Sequence, residues 1–125
     1  MTLREVINKI SDEKPNSFSD AKLISFVNEV EHEVAEELHL AAEDIPTYTD
    51  NHTDLDKTLL VPAPYDRLYI SYVKAMIDFS NEEYGSYQLN QEQHVQDFRD
   101  FLDWAVRTGQ VVRRNAVTRF RHTMY

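Results

Sequence analysis

The chain contains no cysteine, so disulfide scaffolds, thiolate metal sites and cysteine nucleophiles are excluded. It has only two glycines, Gly85 and Gly109. Glycine-rich phosphate loops need several glycines in one turn and cannot be built from these. Neither Asn-Gly nor Asp-Gly occurs, which removes the commonest tight β-hairpins. No apolar run approaches the roughly 20 residues that cross a bilayer. The opening stretch MTLREVINKISDEK carries acids early and lacks the apolar core of a signal peptide. These absences lead to the expectation of a soluble intracellular protein with no membrane partner. Basic residues are also scarce, with 13 Lys and Arg against 22 Asp and Glu and a formal net charge of −9. That balance argues against indiscriminate nucleic-acid binding.

What is present points to helices. The 125 residues are 42% hydrophobic, enough for one domain with a modest core. The charge is unevenly placed. Five of the bases and none of the acids lie from Arg107 onward, leaving about −14 on residues 1–106 and about +5 on the rest. Two parts are expected: a helical domain over 1–109 and a basic tail over 110–125 that either docks on a partner or is a disordered solubilising end.

Thr2 and Glu5 have the spacing of a capping box. Leu3, Val6, Ile7 and Ile10 then follow at helical intervals and predict a short first helix ending between Ser11 and Pro15. Ser19 or Asp20 can cap a second helix to about His39, with Leu23, Val27, Val30, Val34 and Leu38 inward. Its outer face holds Glu29, His32, Glu33, Glu36 and Glu37. Residues 43–64 lose periodicity and contain three of the four prolines. They predict a long connection with a binding or assembly role, in which Leu59, Leu60 and Val61 form a short extended piece. Pro64 suits the first turn of a third helix to about Tyr84. That helix is apolar around most of its circumference, with a narrow polar stripe of Arg67, Ser71, Lys74, Asp78 and Asn81, so protein should surround it. Gly85 to Leu89 is read as a turn. Asn90 is read as the cap of a fourth helix to about Thr108, with Val95, Phe98, Leu102, Ala105 and Val106 inward and Gly109 ending it in the left-handed conformation.

No pattern carries catalytic or metal chemistry. Glu29-x-x-His32 and Glu36-x-x-His39 have the spacing of di-iron ligands, but both pairs sit on one helix and opposite its apolar stripe. Asp50, His52, Asp54 and Asp56 lack the glycine and closing glutamate of a calcium loop. The five histidines are scattered. The expectation is therefore a non-enzyme with no cofactor. The interface candidates are Trp104, about 140° from the inward stripe of its helix, for which the rival reading is a core position against the tail or the long connection, together with Arg107, Arg113, Arg114, Arg119, Phe120 and Arg121. Arginine interleaved with apolar residues suits docking on an acidic protein surface, because the acidic body would repel DNA.

The run Leu60-Val61-Pro62-Ala63-Pro64-Tyr65-Asp66-Arg67-Leu68-Tyr69, continuing from Tyr72 into Asn81-Glu82-Glu83-Tyr84, resembles the head–tail connector, or head completion adaptor, proteins of tailed bacteriophages and prophages. The resemblance covers about residues 59–108. It implies an all-α bundle of about four helices, a monomer in isolation, that joins a ring beneath the portal protein. The next connector or tail-completion protein would bind below. DNA would pass through the ring without specific binding, along a wall to which Glu29, Glu33 and Glu36 are candidate contributors. The implied location is the virion, after assembly in the bacterial host cytoplasm. A different class of reading is a small helical prophage regulator, acting as a protein-binding inhibitor or anti-repressor.

Overall fold

A computed structural model describes residues 1–110. The tail candidates Arg113, Arg114, Arg119, Phe120 and Arg121 lie outside the described residues. Within them the fold is an all-α bundle of four main helices and one single-turn helix.

The capping box forms: Glu5 N donates to Thr2 Oγ1 at 3.2 Å and Thr2 N donates to Glu5 Oε1 at 2.9 Å. It opens α1, Leu3–Glu13, whose buried residues are Leu3, Val6, Ile7 and Ile10. Ser19 caps α2, Asp20–Glu37, by accepting from Lys22 N. This helix ends two residues before the expected His39, which adopts φ 59° while Leu40 N reaches back to Ala35 O. The left-handed residue stops the helix and satisfies its last carbonyls.

The connection that follows is more ordered than its composition suggests. It holds a 3₁₀ turn at Ala42–Asp44 and the single-turn α3, His52–Leu55. In place of an extended Leu59–Val61, a single bridge pairs Thr58 with Thr2, and the chain bends at Leu60 and Val61: Leu59 N donates to Met1 O and Leu3 N to Lys57 O, both at 3.0 Å. Tyr48, Leu59 and Val61 are buried in the core. Burial of these side chains and backbone pairing to the first residues of the chain tie the segment down.

The third main helix is shorter than expected. α4 spans Arg67–Ser80, and Pro64 lies before it in a turn, after a cis Ala63–Pro64 bond, rather than in its first turn. The fourth is longer. α5 spans Tyr84–Arg107, so Gly85 to Leu89 is helix and Asn90 is an interior residue, not a cap. The reversal instead occupies Asn81 to Glu83, where Glu82 takes φ 59° and Glu83 N donates to Asp78 O. Asn90 Nδ2 is occupied by Asp78 Oδ2 at 2.7 Å. Gly109 has φ 77° as expected, with Gln110 N bonded to Ala105 O.

α4 and α5 form an antiparallel hairpin, and α1 and α2 pack on α4. The polar stripe of α4 is not a solvent face. Ser71 and Asp78 are buried within the hairpin. Ser71 Oγ donates to Asp97 Oδ2 at 2.9 Å, and Ser86 Oγ donates to Asp78 Oδ2 at 2.8 Å. Arg67 pairs with Asp97 at 3.1 Å and with Asp100 at 2.8 Å. The buried line of α5 is accordingly His94, Asp97, Phe101 and Ala105. Phe98, Leu102 and Val106 are only half-buried, and Val95 is exposed rather than inward. A reading that placed only apolar residues inside rotated α5 by about one residue away from its polar seam.

Candidate assembly surface

The interior is organised by a carboxylate that the apolar pattern concealed. Glu31 on α2 is 0% exposed. Its Oε2 accepts from the Tyr48 hydroxyl at 2.8 Å and from Leu60 N at 2.9 Å. Its Oε1 accepts from the Tyr69 hydroxyl at 2.5 Å. Tyr69 in turn accepts from Val61 N at 3.0 Å. A buried carboxylate is tolerable only with partners of this kind. Burial first, and the Glu31 charge second, push both tyrosine hydroxyls well above their usual range, so they remain donors. The network ties α2, α4 and the connection into one unit. The signal available in sequence was its position: Glu31 stands among Val27, Val30, Val34 and Ala35 on the buried side of the helix.

Two more buried polar groups lock the hairpin. Asp78 is fully buried, and Lys14 Nζ lies 2.5 Å from its Oδ1. Burial opposes its ionisation, but Lys14, Ser86 and Asn90 together outweigh this and hold the carboxyl below the usual range. His94 Nδ1 lies 3.0 Å from Leu68 O, and desolvation pushes its pKa down, favouring the neutral ring.

The candidate channel acids Glu29, Glu33 and Glu36 are exposed along α2. Glu29 Oε2 accepts from the Tyr72 hydroxyl at 2.7 Å. Close protein atoms, then the charges of Glu36, Glu29 and Glu37, push the Glu33 carboxyl up. The paired Glu-x-x-His spacings bring no ligands together. His32 is on the exposed face, with Nε2 3.2 Å from Pro46 O and 3.1 Å from Thr47 Oγ1. In the connection, Asp54 turns onto Thr49 N at 2.7 Å, Thr49 Oγ1 at 2.8 Å and Lys57 at 2.8 Å. Lys57 first, then Thr49, lower its pKa to about 2. Asp56 faces Arg4. No cluster of three or more His, Cys, Asp or Glu side chains suited to a metal occurs among the described residues. No helix among them is long and apolar enough to cross a membrane.

Trp104 is half-buried. Its ring lies 5.6 Å from that of Tyr65 and 6.1 Å from that of Phe101. It therefore packs the connection against α5 within the chain, with Arg107 three residues further on in the last turn. Among the described residues, an exposed aromatic cluster stands elsewhere, at the corner between α4 and α5. Phe79 is 54% and Tyr84 57% exposed. The Phe79 ring meets Tyr84 at 6.0 Å and Tyr87 at 5.2 Å. The sequence pattern hid this cluster, because it placed a turn where the first coil of α5 stands.

The chain matches no protein-family model, no curated protein and no solved structure.

Proposed function

We propose that the chain is a structural adaptor of a phage or prophage head–tail connector, which joins a ring under the portal protein and bridges capsid and tail around the DNA channel. One observation carries the reading. The run from Leu60 to Tyr84, on which the resemblance rests, forms the centre of the fold and also presents an uncovered aromatic surface. Leu60 N and Tyr69 bind the buried Glu31, while Phe79 and Tyr84 face outward. A subunit that assembles needs both a fixed frame and apolar surface for its neighbours. The acids Glu29, Glu33 and Glu36 would line or border a channel wall, where like charge discourages DNA from lingering. The basic segment beyond Gln110 would reach the portal or a neighbouring subunit.

The test is to mix the purified chain with assembled portal protein from the same phage or prophage genome. Co-sedimentation as a ring beneath the portal supports the reading, and absence of binding at low salt sinks it. Binding to a repressor instead would favour the regulatory class. Removing residues 110–125 should abolish portal binding while leaving the far-ultraviolet circular dichroism nearly unchanged. Retained binding would remove the tail from the interface.

A further inference from the structure

α2 and α5 both pack on α4. Tyr72 meets Glu29 and Tyr69 meets Glu31, so α2 runs antiparallel to α4. Ser86 meets Asp78 and Arg67 meets Asp100, so α5 runs antiparallel to α4 as well. The last turns of α2 and α5 therefore lie at the same end of the bundle, beside the start of α4. A furrow runs between the two helices. Its floor is the half-buried Tyr72, whose hydroxyl donates to Glu29 Oε2 at 2.7 Å while its ring lies 5.0 Å from that of His94. On the α5 side, Phe98 and Leu102 follow His94 by one and two turns and are half-buried. On the α2 side, Glu33 follows Glu29 by one turn. Glu33 is exposed, yet close protein atoms push its carboxyl up, as on the wall of a recess rather than on a convex face. Neither Glu29 nor Glu33 has an ion-pair partner among the described residues.

The chain continues past Gln110 at the mouth of this furrow, with complementary chemistry. Between Val111 and Arg121 it holds four arginines with Val111, Val112, Val117 and Phe120, and no acid. Guanidinium groups stack on tyrosine rings and fork onto carboxylates. Tyr72 sets Glu29 level with His94. Gln110 stands about 24 Å further along the direction of α5, at about 1.5 Å per residue. A segment turning back covers up to about 3.3 Å per residue, so Arg113 and Arg114 reach the last turn of α2 and Arg119 comes level with Glu29. Tethering then selects whose furrow is filled. A segment anchored at the mouth meets its own furrow at an effective concentration of about a millimolar. At micromolar chain concentrations a second copy is at a disadvantage of about a thousandfold.

We propose that residues 111–121 turn back and dock in the α2–α5 furrow of their own chain, with arginines on Glu29, Glu33 and the last turn of α2 and apolar side chains on Tyr72 and Phe98. The inference rests on helix direction, charge and tethering, and not on the adaptor reading. Its consequence is regulatory. A partner that binds the basic segment must first displace it from the furrow, so it binds the free chain more weakly than a chain in which the furrow cannot hold the segment. The aromatic corner at Phe79 and Tyr84 stays open at the other end of α4.

The lack of cysteine permits a single label at a chosen place in the full-length chain. Ala116→Cys carrying a nitroxide, in an isotope-labelled chain at micromolar concentration, is read by nuclear magnetic resonance. The amides of Glu33, Tyr72 and Phe98 should lose more than half their intensity relative to the reduced label. Added salt should restore it. Adding Arg113→Gln, Arg114→Gln and Arg119→Gln to the labelled chain should restore it too, with circular dichroism unchanged. A mixture of nitroxide-bearing chains with isotope-labelled chains that carry no nitroxide should show these amides at full intensity. Loss confined to amides next to Gln110 means an undocked segment and overturns the proposal. Loss in the mixture assigns the furrow to a second copy and overturns it as well, as does loss that persists without the arginines. Portal co-sedimentation is a separate reading, so the adaptor proposal can stand or fall independently of these results.

Discussion

Removing the Glu31 carboxylate should be among the most damaging single changes in this protein. Glu31→Ala strands three donors: the buried Tyr48 and Tyr69 hydroxyls and the part-buried Leu60 N. Each stranded group costs about 1–3 kcal/mol, and relief of the carboxylate's own desolvation offsets part of the sum. The expected loss is about 3–5 kcal/mol. The two tyrosines should differ in a set order. Tyr48→Phe removes one of three donors to Glu31 and costs about 1–1.5 kcal/mol. Tyr69→Phe removes another donor and also strands Val61 N, so it should cost about 2–3 kcal/mol. Urea unfolding followed by circular dichroism at fixed pH measures all three, and an unchanged m-value ties the differences to the folded state. Equal costs for Tyr48→Phe and Tyr69→Phe, or a Glu31→Ala loss under about 1 kcal/mol, the worth of one ordinary hydrogen bond, would refute a stabilising role for the Glu31 network.

Other perturbations probe separate parts of the fold. Tyr48, Tyr69 and Tyr72 have hydroxyls raised above the ordinary value of 10.0, so the folded chain keeps protons that the unfolded chain releases. Stability should therefore be fully present below about pH 10 and fall above it. Absorbance of tyrosinate should show these rings ionising only as the chain unfolds, and the fall should be shallower in Tyr48→Phe. Lys14→Met leaves Asp78 buried without its cation and should cost about 2–4 kcal/mol by urea unfolding. Glu82→Gly relieves a left-handed residue at the end of α4 and should raise stability by about 0.5–1 kcal/mol, read as a higher urea midpoint. Trp104→Ala should cost about 1–3 kcal/mol, less than a fully buried ring, because its contacts to Tyr65 and Phe101 are partial. A larger drop in portal binding than that stability loss explains would assign the exposed part of the ring to an interface.

The sequence made the start of the fold legible and obscured its middle. Thr2, Glu5, Ser19 and Gly109 act through bonds to residues close in the chain, so spacing alone reveals them. Glu31 acts through Tyr48 and Tyr69, which are 17 and 38 residues away. Only the folded chain brings those together. The α4–α5 corner was misplaced because Gly85 reads as a turn, whereas the reversal is made by Glu82 in a conformation that glycine usually supplies. Among the interface candidates, Trp104 and Arg107 were placed by helical spacing. The aromatic corner depended on where α5 begins, which the expected turn over Gly85 to Leu89 put six residues too late.

The polar seam between α4 and α5 also determines how the two helices line up lengthwise. Apolar side chains tolerate sliding by a turn, since one Leu or Val substitutes for another against the same groove. Asp78 and Asp97 do not. A slide of one turn, about 5.4 Å, would carry Asp78 away from Ser86 and Asn90, and Asp97 away from Ser71 and Arg67. Each misaligned pairing would then leave a charge buried without its partners. Replacing the seam with well-packed leucines would hold the hairpin more tightly while permitting several lengthwise alignments, and the aromatic corner would lose its fixed distance from the far end of α5.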